Sequence, residues 1–144
     1  MLKINGYEHK GHYARISSLQ AYFNNSMKLL DKDVRNQLFG DRSVFTKIRD
    51  SAPTKYGNNA IVKNSMIADG CEILGEVENC ILFRGVKIAR GTKVKNCILM
   101  QNTVIGENAS LNCIIADKNV VVRDRVTLSG AENHTFYIPK GSMI

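Results

Sequence analysis

The sequence predicts a mainly β protein: a single-stranded, left-handed parallel β-helix of hexapeptide repeats, preceded by a short helical segment. Two observations predict it. The first is self-similarity: VENCILFRGVKIARGTK from Val77 and VKNCILMQNTVIGENAS from Val94 nearly superimpose at a period of seventeen residues. The second is a six-residue spacing of aliphatics, as in Ile67 and Ile73, Leu82 and Ile88, and Leu99 and Ile105. Such short periods cannot hold a pair of helices, but they suit a coiled strand with one flat side per hexad. A hexad spans roughly 20 Å, three sides close one coil, and successive coils pair as parallel strands about 4.8 Å apart.

Taken in order, residues 1–52 come first. SLQAYFNNSMKLL, residues 18–30, predicts an amphipathic helix with Leu19, Tyr22, Phe23, Met27 and Leu30 on one face. Ser17 or Ser18 caps it. A second short helix follows Asp31, through Val34, Leu38 and Phe39, and stops at Gly40. SVFTKIRD reads as a strand and SAPTKYG as a linker into the repeats. Two helices and one strand cannot close a core, so residues 1–52 are expected to be the end of a larger domain. Residues 53–144 are the β-helix.

Four repeats are legible, starting near Val62, Val77, Val94 and Leu111, the first shorter by two residues. Cys71, Val86, Thr92, Thr103 and Ala109 sit four positions after inward aliphatics, where space is small. Gly70, Gly75, Gly85, Gly91 and Gly106 fit the corners, where a positive φ is useful. Asn64, Asn79, Asn96 and Asn112 are expected to stack as an amide ladder. Ser65, Cys80, Cys97 and Cys113 form the adjoining column, read as packing: a straight column of thiols makes no tetrahedral metal site. Phe83 and Met100 share an outward column, which predicts a side buried against residues 1–52 or against another subunit.

The net charge is +7. Its one concentration is Arg84, Lys87, Arg90, Lys93 and Lys95, twelve residues without an acid. This is a solvated face or a seat for a phosphorylated small molecule or acidic partner. Nucleic acid is not expected, because no aromatics interleave with the cations and no nucleic-acid motif accompanies them. There is no apolar run of membrane-spanning length and no signal-peptide h-region, which predicts a cytoplasmic location. The glycosylation-type triplets at Asn24, Asn108 and Asn133 are then chance matches. A rival reading is a hexapeptide-repeat acyltransferase using coenzyme A. It wants a histidine on a coil as general base. His9, His12 and His134 all lie outside Val62–Val126.

GHYARISSLQAYFNNSMKLL, PTKYG, VKNSMIADGC, VENCILFRGVKI, VKNCILM and IADKNVVVRD together resemble the C-terminal part of the glucose-1-phosphate adenylyltransferase (ADP-glucose pyrophosphorylase) family. The likeness is to its bacterial glycogen-biosynthesis accessory branch, the GlgD type, and covers nearly the whole chain. It implies that a nucleotidyltransferase domain precedes this part and that the β-helix serves assembly and regulation. It further implies a partner, either a catalytic adenylyltransferase subunit or the chain itself in a tetramer, and an anionic sugar-phosphate effector. No cofactor is expected here; Mg²⁺ with ATP belongs to the domain not represented. The family's Gly-rich nucleotide loop has no counterpart, so the sequence is expected to be a fragment. Catalytic members carry G-Y-W-x-D-V-G-T just before the helix, and Gly11-His12-Tyr13-Ala14-Arg15-Ile16-Ser17-Ser18 stands there instead. Arg15 replaces the metal-serving Asp, reversing the charge and removing a hard oxygen ligand. A non-catalytic subunit follows. By resemblance Lys55 lies where the domains meet; Lys55, Arg84, Lys87 and Arg90 are the candidates for effector contact.

Overall fold

The computed structural model describes all 144 residues. From Lys55 onward the chain winds as a prism. The first coil holds β1 (Lys55–Tyr56), β2 (Ile61–Lys63) and β3 (Met66–Ile67). The second holds β4 (Glu72–Ile73), β5 (Glu76–Glu78) and β6 (Ile81–Leu82). Next come β7 (Lys87–Ile88), β8 (Lys93–Lys95) and β9 (Ile98–Leu99). The fourth coil is β10 (Val104–Ile105), β11 (Ser110–Asn112) and β12 (Ile114–Ala116). The last is β13 (Val121–Val122), β14 (Thr127–Ser129) and β15 (Phe136–Ile138). Every third strand stacks on its predecessor, giving three five-stranded parallel sheets. The first side is β1-β4-β7-β10-β13, the second β2-β5-β8-β11-β14, the third β3-β6-β9-β12-β15.

The short strands follow from the repeat, because each side is a hexad that must end at a corner. Inward aliphatics pair in register, Ile73 with Ile88 and Leu82 with Leu99, and all four are fully buried. The small positions close the corners. Cys71, Val86, Thr92, Thr103 and Ala109 are all buried. The threonines stay satisfied there, Thr92 Oγ1 donating to the Gly106 carbonyl and Thr103 Oγ1 to that of Asp117 at 3.1 Å. Burying a hydroxyl without such a partner would cost about 1–3 kcal/mol.

The corner between the second and third sides corrects the expected columns. Asn64, Asn79 and Asn96 take φ of 41°, 51° and 50°. The next residue with a positive φ at that corner is Cys113, at 54°. Leu111 pairs with Val94 and Ala116 with Leu99, so the fourth coil carries its Asn-Cys one position early. Cys113 therefore leaves the thiol column, and buried Ile114 fills its place. The ladder survives the slip: Asn96 Nδ2 still donates to Asn112 Oδ1 at 3.0 Å. Above it, Asn64 donates to Asn79 at 2.7 Å and Asn79 to Asn96 at 3.4 Å. The remaining column members bond their own chain, Ser65 Oγ to the Lys63 carbonyl, Cys80 Sγ to that of Glu78 and Cys97 Sγ to that of Lys95. All four cysteines are free thiols, and burial pushes the Cys97 thiol well up.

Among the glycines, Gly70, Gly85 and Gly91 do take a positive φ, whereas Gly75 and Gly106 do not. Gly75 is there for space. The second coil turns this corner with two residues fewer, since Glu72 pairs with Lys87 fifteen positions on and Lys87 with Val104 seventeen on. A Cβ on Gly75 would stand 2.5 Å from the Thr92 carbonyl oxygen and 2.8 Å from that of Ala89. Both are main-chain atoms of the next coil and cannot step aside alone. Gly75→Ala is therefore expected to destabilise by about 1–3 kcal/mol, the usual cost of overpacking, read as a lower urea midpoint at unchanged slope.

Ahead of the prism come α1 (Leu19–Met27), a 3₁₀ turn (Lys28–Leu30) and α2 (Lys32–Phe39). Ser18 Oγ accepts from the Ala21 N–H at 3.0 Å, and Asp31 Oδ1 from that of Asp33 at 2.7 Å. The expected strand at SVFTKIRD is absent: residues 41–54 form no helix or strand, and Val44, Phe45 and Ile48 are exposed. The β-branched and aromatic residues carry strand propensity, but they pair with none of the three sheets. Ladder bonding begins only at Ala52, whose carbonyl accepts from the Gly70 N–H at 2.7 Å. No helix is long and apolar enough to cross a membrane.

Candidate functional site

The prism shows different chemistry on each side, because alternate residues of every strand point outward. On the second side the outward residues from β5 to β14 are polar or charged: Glu76 and Glu78 on β5 meet Lys93 and Lys95 on β8. Their ion pairs are 3.9 Å and 3.0 Å. The Lys95 ammonium, bonded to Glu78, holds that carboxyl below its usual value. Both pairs are solvent-exposed, so they fix register more than they stabilise. Two of the five cations in the basic run are thereby neutralised.

The other three run along the third coil. Arg84 sits at the corner before the first side, Lys87 on β7, and Arg90 at the corner after it. At three residues apart, neighbours are about 10 Å from one another along the chain. None of the three forms an ion pair. Lys55 lies two rungs above Lys87 on the same side, with Glu72 between them, and its Nζ is 3.7 Å from Glu72 Oε1. Lys55, Lys87, Arg84 and Arg90 thus share one side and its corners without converging on one cavity. Arg90 lines a cleft of about 500 Å³ with Asn58 and Asn59. Arg84 lines a separate, mainly apolar hollow of about 360 Å³ beside Met66, Ile81 and Phe83.

The third side is apolar outward. Ile98 and Ile115 are fully buried there although they point away from the prism axis. What covers them is α1: Phe23, itself 6% exposed, packs on both, with Tyr22, Met27, Ile81, Phe83 and Met100 around it. The expected cover for Phe83 and Met100 is therefore the helical segment of this chain. Gln20 adds a polar clamp, donating to the Glu132 carbonyl at 2.8 Å and accepting from the Thr135 N–H at 3.0 Å. Its partners lie in an insertion. Ile114 pairs with Phe136, 22 positions on, where Ile98 pairs with Ile115 only 17 on, and the extra residues make the turn Ala131–His134. Gln20 was legible only as a polar residue bordering the apolar stripe of α1, and its partner is 115 residues away.

His134 lies exposed on this turn, with its main chain paired to Ala131. Arg15 is exposed ahead of α1, its carbonyl accepting from Asn25 Nδ2 at 3.2 Å. A guanidinium there does not fit a Mg²⁺-binding role, and no group of three His, Cys, Asp or Glu side chains is placed to hold a metal.

Between α1, the start of α2 and the asparagine ladder lies the largest groove, about 770 Å³.

Against known proteins, residues 50–135 match the family model described as GlmU-like, C-terminal hexapeptide. The chain is 46% identical over 94 residues to the glycogen biosynthesis protein GlgD of Bacillus subtilis, covering 65% of this chain and 27% of that protein. To GlgD of Geobacillus stearothermophilus it is 56% identical over 70 residues, 48% of this chain and 20% of that protein. To the glucose-1-phosphate adenylyltransferase of Clostridioides difficile it is 35% identical over 89 residues, 61% of this chain and 23% of that enzyme. The matched region thus spans about a quarter of these relatives or less. By the repeat, the three-sided coil it builds and these matches, the chain belongs to the GlmU-like C-terminal hexapeptide family, with a repeat domain of the GlgD type.

Proposed function

We propose that this chain is the assembly and regulatory module of a glucose-1-phosphate adenylyltransferase-type subunit in glycogen synthesis, with no nucleotidyl transfer of its own. One observation carries the reading: the same repeat domain is similar both to GlgD, at 46% identity, and to adenylyltransferases, at 35%. A domain common to both serves what both need, which is packing subunits together. Arg15, at the position of a metal-serving carboxylate, supports a non-catalytic role. The first side supplies the contact surface. Its unpaired Arg84, Lys87 and Arg90, with Lys55 above, suit an acidic partner or an anionic sugar phosphate. The partner is a catalytic adenylyltransferase subunit in the cytoplasm or a second copy, within a tetramer.

Light scattering on this chain alone and mixed with a catalytic glucose-1-phosphate adenylyltransferase subunit tests the reading. A mixed species, lost when Arg84, Lys87 and Arg90 are all changed to Glu, is the expected result. Two unshifted peaks would refute an assembly surface within these residues.

A further inference from the structure

The groove beside the asparagine ladder is not used by the reading above. Its floor is Asn64, Asn79 and Asn96, stacked at the strand spacing of about 4.8 Å. Each ladder bond takes one N–H from Nδ2 and one lone pair from the next Oδ1. A primary amide has two of each, so every rung keeps a donor to spare and an acceptor beside it. Asp33, at the start of α2, and Glu132, in the turn below the ladder, also line it, and their carboxylates only accept. Phe23, Met27 and Leu30 give the wall an apolar strip.

The charge balance decides among ligands. Three carboxylates (Asp31, Asp33 and Glu132) face one cation, Lys32, so a phosphate or other anion is repelled. Asp31 is already engaged in capping α2. Three rungs span roughly 10 Å, long for a single ion and suited to a short chain of rings. Donors and acceptors at regular spacing, carboxylates without a partner and an apolar strip in one groove match a polyhydroxylated ligand. Its hydroxyls donate to the carboxylates and accept from the amides, while ring C–H faces lie on the partly exposed Met27 and Leu30. We propose that this groove binds a neutral oligosaccharide.

The test titrates the whole chain with maltoheptaose and, separately, with xylohexaose, following amide shifts by NMR. The glucan probe rests on the glycogen reading; the xylan probe does not, so a groove that takes xylohexaose alone upholds the site while separating it from that reading. Saturable shifts with half-saturation at about 1 mM are expected, unchanged on raising the salt. The Asp33→Ala/Glu132→Ala double variant should weaken binding at least about tenfold with unchanged circular dichroism. Both side chains are exposed, so folding is spared. Asn79→Ala removes the central rung and should do the same; if it unfolds, the double variant still decides. The proposal is overturned if neither sugar shifts any groove residue. It is equally overturned if spermine or inorganic phosphate binds in a salt-sensitive way while the sugars do not, or if the double variant binds the sugars unchanged.

Discussion

Leu99→Ala should lower the melting temperature by roughly 5–20 °C, the equivalent of about 2–5 kcal/mol in a domain of this size. Leu99 is fully buried in the middle coil, with Leu82 above it and Ala116 below. The neighbour below is already small, so no bulky side chain there can lean into the space a truncation leaves. In a solenoid each coil touches only the coils next to it, and stability is a sum over such interfaces. A cavity in an end coil weakens one interface, whereas one at Leu99 weakens two. Ile138→Ala, in the last coil of the same column, is the comparison: it should cost less. Thermal melts followed by circular dichroism compare the two. Equal losses would mean that the coils unfold as one indivisible block.

The inward column to which Leu99 belongs is legible in the spacing of the aliphatics, whereas the fifth coil and Ile138 lie beyond the four legible repeats. The aliphatic hexads place Ile73, Leu82, Ile88, Leu99 and Ile105 on the inside, and all are buried. What pattern reading mistook was phase and partnership. The word Asn-Cys aligns Cys113 with Cys97, although the aliphatics flanking it lie one residue out of step. The hydrophobic register outweighs the motif, because slipping one residue would turn a whole side inside out. SVFTKIRD failed for another reason: propensity cannot supply an edge to pair with. The third side fell between. Met66, Ile81, Ile98 and Ile115 recur at outward positions where the second side has Glu76 and Lys93, a signal of a covered face. Phe83 and Met100 carried that signal in the sequence, but only contact showed that Phe23 is the residue that answers it. The division of the four basic candidates among a corner cleft, an open side and an apolar hollow depends on the winding of the coil. The groove over the ladder joins residues 23–33 to residues 64–132, a juxtaposition with no local trace.

Phe23→Ala should detach the helical segment from the prism without melting the prism itself. Truncating a buried Phe costs about 3–5 kcal/mol when the site cannot collapse. The rest of the attachment is small: Gln20 with its hydrogen bonds to Glu132 and Thr135, and partly buried Tyr22 and Met27. A helix of nine residues has little stability of its own in water, since isolated helices under about 12–15 residues are marginal. Once undocked, α1 therefore unfolds and draws α2 with it, and Lys28, Lys32 and Arg35 become fast tryptic sites. The main cooperative transition should stay close to that of the unaltered chain, because the principal core cluster does not include Phe23. Undocking also uncovers Ile98 and Ile115, so the variant should bind a hydrophobic dye and self-associate as concentration rises. Gln20→Ala should act in the same direction with a smaller effect, since it removes hydrogen bonds and leaves the apolar seal in place. A Phe23→Ala protein whose prism melts together with the helices would show that α1 is part of the folding unit rather than a cover laid over it.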